Sequence, residues 1–174
     1  RRSEVDDHDD LLSMLLGGTD DDGETMSEKL VRDELMTFLF AGHETTATAL
    51  TFTWFLLAQH PAVERRLGAE LDEVLDGRQP TFADLPDLEY TEQVLKETMR
   101  LYPPVPQIPR EPTEDVEIGG YHVPAGSTVA PSQWVIHRDE RFWDDPTAFT
   151  PERFAGGSDR PAFAYFPFGG GPRR

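Results

Sequence analysis

The segment from Ala41 to Thr46 places a glycine, a histidine, a carboxylate and two hydroxyls inside an otherwise apolar run. Glycine within a helix costs about 1 kcal/mol relative to alanine, and a buried polar side chain costs more unless it is hydrogen-bonded. The Thr45 hydroxyl could bond to a carbonyl one turn earlier and open the helix, leaving space for water or a small ligand. A kinked core helix with paired polar groups is the alternative, which the spacing alone slightly favours. A zinc-protease helix is excluded, because Ala47 stands where H-E-x-x-H requires its second histidine.

A second candidate is the pair Glu97 and Arg100, which share one helix face at i, i+3. Such pairs are common on solvated helices, where they contribute little to stability. Arg153, in the downstream segment from Pro151 to Phe154, offers a second guanidinium. A buried carboxylate between two guanidiniums could clasp distant segments of the chain together.

The third candidate is the stretch from Phe166 to Arg174, which contains three consecutive glycines and two arginines. Glycines let a backbone approach a flat or anionic ligand closely, and arginines supply charge-assisted hydrogen-bond donors. A dinucleotide-binding loop is a weak alternative, because no strand-like run precedes the glycines and G-x-G-x-x-G is absent.

Composition narrows the function class. The 174 residues carry 33 acidic and 16 basic side chains, for a formal net charge of −17. This charge disfavours binding to nucleic acid or to anionic membrane surfaces. The absence of cysteine excludes disulfides, thiolate zinc sites and a cysteine nucleophile within these residues. The excess of carboxylates over lysines resembles proteins of salt-loving organisms, and a halophilic source is therefore a hypothesis.

The elements that must position these groups are mainly helices. Thr25 and Glu28 have capping-box spacing, and an apolar run continues to the residue before Pro61, so the sequence predicts one helix over about 26–60. Most of this helix is apolar on nearly every face, which indicates burial on all sides. A membrane-spanning helix is less favoured, because ionisable side chains would lie at its centre.

The rest of the chain predicts further helices and a small antiparallel β region, so the fold class is mainly α. No internal repeat or linker interrupts the sequence, which indicates that 1–174 is one continuous part of a single domain. One predicted helix runs from Pro61 to about Asp76, with Gly77 as its stop, and another covers about 89–101. Three short strands are predicted within about 114–130, at Val116–Ile118, Tyr121–Val123 and Ser127–Val129. An ordered meander is predicted over about 143–174.

Together and in this order, the motifs resemble one family closely, the haem-thiolate monooxygenases of the cytochrome P-450 superfamily. The segment from Ala41 to Thr46 resembles the oxygen-binding groove of the family's long distal helix. Glu97 and Arg100 resemble its E-x-x-R pair, with Arg153 as the third member of the clasp. The resemblance covers nearly the whole chain and implies a partial cytochrome P-450 fold.

The C-terminal stretch resembles the loop that carries the family's axial cysteine. Phe168, Gly171 and Arg173 match the opening of F-x-x-G-x-R-x-C, and the pattern places the cysteine directly after Arg174. The resemblance therefore implies a C-terminal-half fragment that ends just before the iron ligand and holds no metal ligand itself. Such a fragment is expected to be inactive alone.

The resemblance also assigns roles to individual residues. Thr45 would donate a hydrogen bond to dioxygen, and Glu44 would relay protons to it from water. The remaining assignments are an oxygen groove at Ala41 and Gly42, cofactor-binding residues Arg110, Phe168, Gly171 and Arg173, a structural clasp of Glu97, Arg100 and Arg153, and a substrate pocket at Val105 and Gln107.

The implied activity is insertion of one atom of O2 into a small organic substrate. The cofactor would be haem b, and electrons would come from a ferredoxin or flavodoxin with its reductase. A cytoplasmic location is expected, because no targeting segment or membrane anchor is visible. Two alternatives stay open: an acidic helical interaction protein without cofactor, and a nucleotide-binding module using the glycine-rich tail.

Overall fold

The computed structural model describes residues 10–19, 23–157 and 159–171, so Arg173 and Arg174 lie outside the described residues. The described residues belong to two compact units, one ending at Thr46 and the other beginning at Ala47. Helices predominate, as the sequence predicts. The helices are α1 (Leu11–Gly17), α2 (Glu28–Gln59), α3 (Pro61–Leu75), α4 (Glu89–Leu101) and α5 (Gln133–Ile136), with 3₁₀ turns at Phe82–Asp87 and Pro151–Phe154.

The long helix α2 begins with a different cap from the predicted one. Ser27, not Thr25, caps it, because the Ser27 hydroxyl accepts the Leu30 amide at 3.2 Å. Thr25 instead forms an antiparallel bridge with Thr19, which keeps its backbone extended two residues before the cap. The helix then continues to Gln59 as a single α-helix.

The sequence predicts that α2 is buried on all sides, but the described residues do not bury it in this way. The side chains of Phe40 and Trp54 are exposed by 64% and 67% respectively, although Leu57 is buried. Among the described residues, no helix has both the length and the apolarity needed to cross a membrane. The apolar faces of α2 are therefore incompletely covered within these residues.

The second unit is built around α4, whose apolar residues follow helical spacing. Tyr90, Val94 and Leu101 are buried on one face and pack with Leu57 and Phe149. α3 follows Pro61, whose ring suits the first helical turn, and Asp76 ends it in the left-handed conformation with φ of 47°. The sequence predicted Gly77 as the stop, one residue later.

A two-stranded antiparallel sheet follows α4. β1 (Val116–Ile118) pairs with β2 (Tyr121–Val123) across the predicted Gly119-Gly120 turn, with Val116 opposite Val123 and Ile118 opposite Tyr121. The predicted third strand at Ser127–Val129 is wrong, because only Val129 pairs, and its partner is Arg110. The bridge between Arg110 and Val129 therefore holds the segment before β1 and adds no third strand to the sheet.

Candidate functional site

The clasp predicted from Glu97, Arg100 and Arg153 is present and buried. Arg100 donates from Nε to Glu97 Oε2 at 2.7 Å and from Nη2 to Glu97 Oε1 at 2.8 Å. Arg153 donates from Nε to Glu97 Oε1 at 3.0 Å. The side chains of Glu97 and Arg100 are fully inaccessible to solvent, and Arg153 is 10% exposed. A local i, i+3 pair is thereby joined to a residue more than fifty positions away in the sequence.

Arg100 also holds three backbone carbonyls from outside its helix. Its Nη1 donates to the carbonyls of His137 and Pro146, both at 2.7 Å, and its Nη2 donates to that of Ala148 at 3.0 Å. The guanidinium lies over the Trp143 ring, 4.9 Å from its centroid. These contacts tie α4 to the chain that follows α5.

Arg153 completes the clasp from the 3₁₀ turn Pro151–Phe154. It donates to the carbonyl of Asp144 at 2.5 Å and to that of Asp145 at 2.8 Å. Asp145 adopts φ of 44°, a strained conformation for a residue with a side chain. The carbonyl of this strained residue is one of those that accept a hydrogen bond from Arg153.

The charges of the clasp do not cancel, since two guanidiniums meet one carboxylate. The surplus positive charge is solvated by the carbonyl oxygens that Arg100 and Arg153 contact, while the Thr150 amide donates to Glu97 Oε1 at 2.9 Å. Every member is thus hydrogen-bonded on more than one side, which a buried ion cluster requires. The cluster serves as a rigid joint and offers no free group for acid or base catalysis.

The N-terminus of α4 is held by a residue on α3. The residue at the cap position is Leu88, whose side chain cannot accept hydrogen bonds. The carboxylate of Glu70 replaces it, accepting the Tyr90 amide at 2.5 Å, the Thr91 amide at 2.8 Å and the Thr91 hydroxyl at 2.7 Å. α3 thereby fixes the position of the helix that carries the clasp.

Replacing Glu70 with alanine should lower the free energy of unfolding by about 1–3 kcal/mol, because two partly buried amides of α4 lose their acceptor. Chemical denaturation of the full-length protein measures the change. Glu73→Ala is the matched control on the same helix, and it should change stability by less than about 0.5 kcal/mol because Glu73 is exposed. Equal destabilisation by both variants would contradict the capping role of Glu70.

Glu152 links the neighbouring 3₁₀ turn to α3 and α4. Arg66 donates to Glu152 Oε1 at 2.7 Å, and the Tyr90 hydroxyl donates to the same oxygen at 3.0 Å. Arg66 also lies over the Tyr90 ring, 4.0 Å from its centroid. Burial and the contact with Glu152 raise the pKa of Tyr90 to about 12. Sequence inspection did not find this second joint, because its members are far apart and individually common.

The predicted oxygen-groove segment lies in the unit that ends at Thr46. The Thr45 hydroxyl donates to the Ala41 carbonyl at 2.6 Å, the predicted bond to the preceding turn. Thr37 makes the same bond to Asp33 at 2.9 Å, so this bond alone does not distinguish Thr45. No described atom other than its chain neighbours and its own helix backbone lies within 4 Å of a Cβ built on Gly42, and Glu44 is exposed. The helix is not interrupted here.

The glycine-rich loop is packed tightly against two side chains. A Cβ built on Gly169 would overlap Ile108, and one built on Gly170 would overlap the ring of Phe163. Gly169 has φ of 77° and Phe163 has φ of 66°. A side chain at Gly169 would need both a positive φ and a shift of Ile108, and one at Gly170 would need the Phe163 ring to move. A Cβ on Gly171, where φ is 104°, would meet no described atom within 4 Å. The described residues before the loop form turns, not the strand that a dinucleotide-binding loop requires.

Arg110 lies two residues beyond Ile108, the residue that packs against Gly169 of the loop. Its backbone is fixed by a reciprocal pair of hydrogen bonds with Val129, at 2.7 and 2.8 Å. Its exposed guanidinium donates to the carbonyl of Pro109 at 3.0 Å. Phe168 is 80% exposed. Arg110 and Phe168 are thus both accessible, and each lies close in sequence to one member of the Ile108–Gly169 contact.

The predicted substrate-pocket residues Val105 and Gln107 are both exposed. Pro106 between them accepts the Ser132 hydroxyl at 3.1 Å and the Trp134 amide at 3.2 Å. The segment is anchored through its backbone, which leaves both side chains available. Their role in binding a substrate stays a prediction.

The comparisons with known proteins agree with this architecture. The family model for cytochrome P450 matches residues 1–174, so the chain belongs to the cytochrome P450 family. Two relatives from Streptomyces melanosporofaciens, cyclooctatin synthase and cyclooctat-9-en-7-ol 5-monooxygenase, are each 44% identical over 177 residues, covering 100% of this chain and 39% of the relative.

A solved structure shows the same fold. The retinoic acid-bound cyanobacterial CYP120A1 superposes with a TM-score of 0.92 and 35% identity, covering 98% of this chain and 40% of that one. The predicted partial cytochrome P-450 fold is therefore confirmed. The chain spans about two fifths of the length of these relatives.

Proposed function

We propose that these residues form part of a haem-thiolate monooxygenase. The observation that carries the proposal is the buried clasp of Glu97, Arg100 and Arg153, found in a chain that belongs to the cytochrome P450 family. The clasp holds α4 against the meander that leads into the glycine-rich loop. An interaction protein without a cofactor would have no evident need for so costly a buried ion cluster.

The residues around the glycine-rich loop fit a haem. A porphyrin needs a flat apolar surface and cations for its propionate carboxylates, and the exposed ring of Phe168 and the accessible guanidinium of Arg110 are of these two kinds. Next to Phe168, Gly169 packs against Ile108 and presents no side chain. Gly171, and Arg173 outside the described residues, would join them. When bound, the haem would supply oxygen activation under the influence of a thiolate expected directly after Arg174.

Thr45 and Glu44 would control the delivery of protons to dioxygen. The Thr45 hydroxyl, now engaged with the Ala41 carbonyl, would turn to donate its proton toward dioxygen, and the exposed Glu44 would return a proton from water. Ala41 and Gly42 have a small side chain and none, so they would leave room for dioxygen beside the Thr45 hydroxyl.

The substrate would be an apolar organic molecule. Support comes from the relative named for cyclooctat-9-en-7-ol and from the structural neighbour that holds retinoic acid. Val105 and Gln107 would contact it, since both are exposed on an anchored segment. A ferredoxin or flavodoxin with its reductase would supply the electrons.

The full-length protein should show the red-shifted Soret band of thiolate-bound haem when reduced under carbon monoxide. The physical reason is donation of electron density from the expected cysteine to iron. Replacing that cysteine with serine is the matched control and should remove the shifted band. A residue other than cysteine directly after Arg174, or a reduced spectrum without the shift, would refute the proposed ligation.

A further inference from the structure

His137 connects the clasp to the glycine-rich loop through two different groups. Its carbonyl accepts a hydrogen bond from Arg100 Nη1 at 2.7 Å. Its ring nitrogen Nε2 accepts the backbone amide of Phe166 at 2.9 Å. The residue is fully inaccessible to solvent, so water cannot replace either bond. His137 is thus bonded to Arg100 of the clasp through its carbonyl and to Phe166 of the loop through its ring.

Phe166 is the residue from which the loop turns. While its amide is held by His137, its carbonyl accepts the Gly169 amide at 2.9 Å and closes the turn that contains Phe168. Gly169 in turn packs against Ile108. Displacement of the Phe166 peptide would therefore shift Phe168 and Gly169, which belong to the proposed cofactor surface.

Aromatic contacts hold the His137 ring in the orientation that this bond requires. It stacks on Tyr165 with centroids 5.2 Å apart and meets the rings of Phe166 and Trp143 edge-on, at 5.4 and 6.4 Å. Tyr165 is itself tethered to α4, because its hydroxyl donates to the Lys96 carbonyl at 3.1 Å. The imidazole is therefore packed on several sides as well as hydrogen-bonded.

The bond to Phe166 requires a neutral imidazole, because only an unprotonated Nε2 accepts a hydrogen bond. Burial lowers the pKa of His137 to about 4, and the positive charges of Arg100 and Arg138 act in the same direction, against the opposing effect of the Arg100 and Met99 backbone. The ring consequently stays neutral around pH 7.

We infer that His137 is a positioning residue for the cofactor-binding loop, which it fixes by accepting the Phe166 amide while its carbonyl is bound to the clasp. The inference rests on the proposed function, since the loop's role in holding haem is itself proposed. It explains how a clasp with no direct contact to the loop among the described residues could govern cofactor retention.

The test compares two variants in the full-length holoenzyme. His137→Phe keeps aromatic volume but removes the acceptor, whereas His137→Gln retains an oxygen acceptor. Haem transfer to an excess of a haem-scavenging protein should be about tenfold faster or more in His137→Phe, because the Phe166 amide is left buried without a partner. His137→Gln should recover most of the difference.

Amide hydrogen exchange supplies a readout that does not depend on haem. The peptide containing Phe166 should exchange at least about tenfold faster in His137→Phe than in the wild type, in both apo and holo protein. Wild-type haem loss and exchange in His137→Phe would overturn the inference, as would faster haem loss in both variants with unchanged Phe166 exchange. A wild-type protein that takes up no haem would refute the proposed function instead, and the apo exchange comparison would still decide the role of His137.

Discussion

Replacing Glu97 with alanine should prevent haem incorporation in the full-length protein. The change leaves two buried guanidiniums without their carboxylate, and breaking a buried ion pair in this way costs about 3–5 kcal/mol. That cost is comparable with much of a typical domain's stability of about 5–15 kcal/mol. The haem-to-protein ratio of the purified variant, from absorbance and total protein, measures the effect.

Two further variants separate the clasp from a general effect of charge removal. Glu92→Ala removes a carboxylate from the same helix, where it is 67% exposed and pairs with Lys96 at 2.8 Å. This control should retain normal haem content, since exposed pairs contribute at most about 1 kcal/mol. Glu97→Gln should resemble Glu97→Ala, because its amide nitrogen would face a guanidinium donor. Normal haem content in Glu97→Ala would show that the clasp is dispensable.

The sequence predicted the side chains of the clasp but not its environment. Glu97 and Arg100 could be paired from helical spacing. Arg153 could be named from the residues only as a candidate, and the resemblance to a family assigned it to the clasp, because nothing local indicates which distant arginine folds back. The carbonyls of Pro146 and Ala148 carry no signal at all, since every residue has one. Burial, which turns a common pair into a joint, depends on packing that spacing does not encode.

His137 is a second residue whose contacts could not be predicted from the sequence. A lone histidine in a sequence is more often structural than functional, and its buried position agrees with that expectation. Its contact with Phe166 depends on the path of the chain between them, which irregular turns determine. Sequence periodicity describes helices and strands and gives little information about such a meander.

The errors in the predicted fold also have physical causes. Thr25 and Ser27 are both good caps, and the choice between them depended on whether Thr25 was already paired, as it is with Thr19. Val129 lies in a stretch with strand composition, but its partner Arg110 offers only a single bridge. Pairing with another segment therefore decided both positions, whereas the predicted bounds of α4 agree with the structure.

Replacing Thr45 with alanine should leave haem content unchanged and divert reducing equivalents from product to peroxide in the full-length enzyme. The hydroxyl is the proposed proton donor to dioxygen, and a positioned acid or base typically contributes about 10²–10⁴-fold to a proton transfer. Because reduction of the enzyme precedes that step, NAD(P)H consumption should continue while product per electron pair falls by about tenfold or more. Peroxide and product yields, measured against consumption, test this directly.

The chain supplies a matched control for this experiment. Thr37 lies on the same helix and makes the same bond to a carbonyl one turn earlier, at 2.9 Å against 2.6 Å for Thr45. Thr37→Ala should therefore reproduce any change in helix stability without altering the coupling of electrons to product. Thr45→Ser should keep the coupling because it keeps the hydroxyl, whereas Thr45→Val should lose it despite its similar shape. Unchanged coupling in both Thr45→Ala and Thr45→Val would remove Thr45 from the proton path, and equal uncoupling in Thr37→Ala would assign the effect to the helix itself.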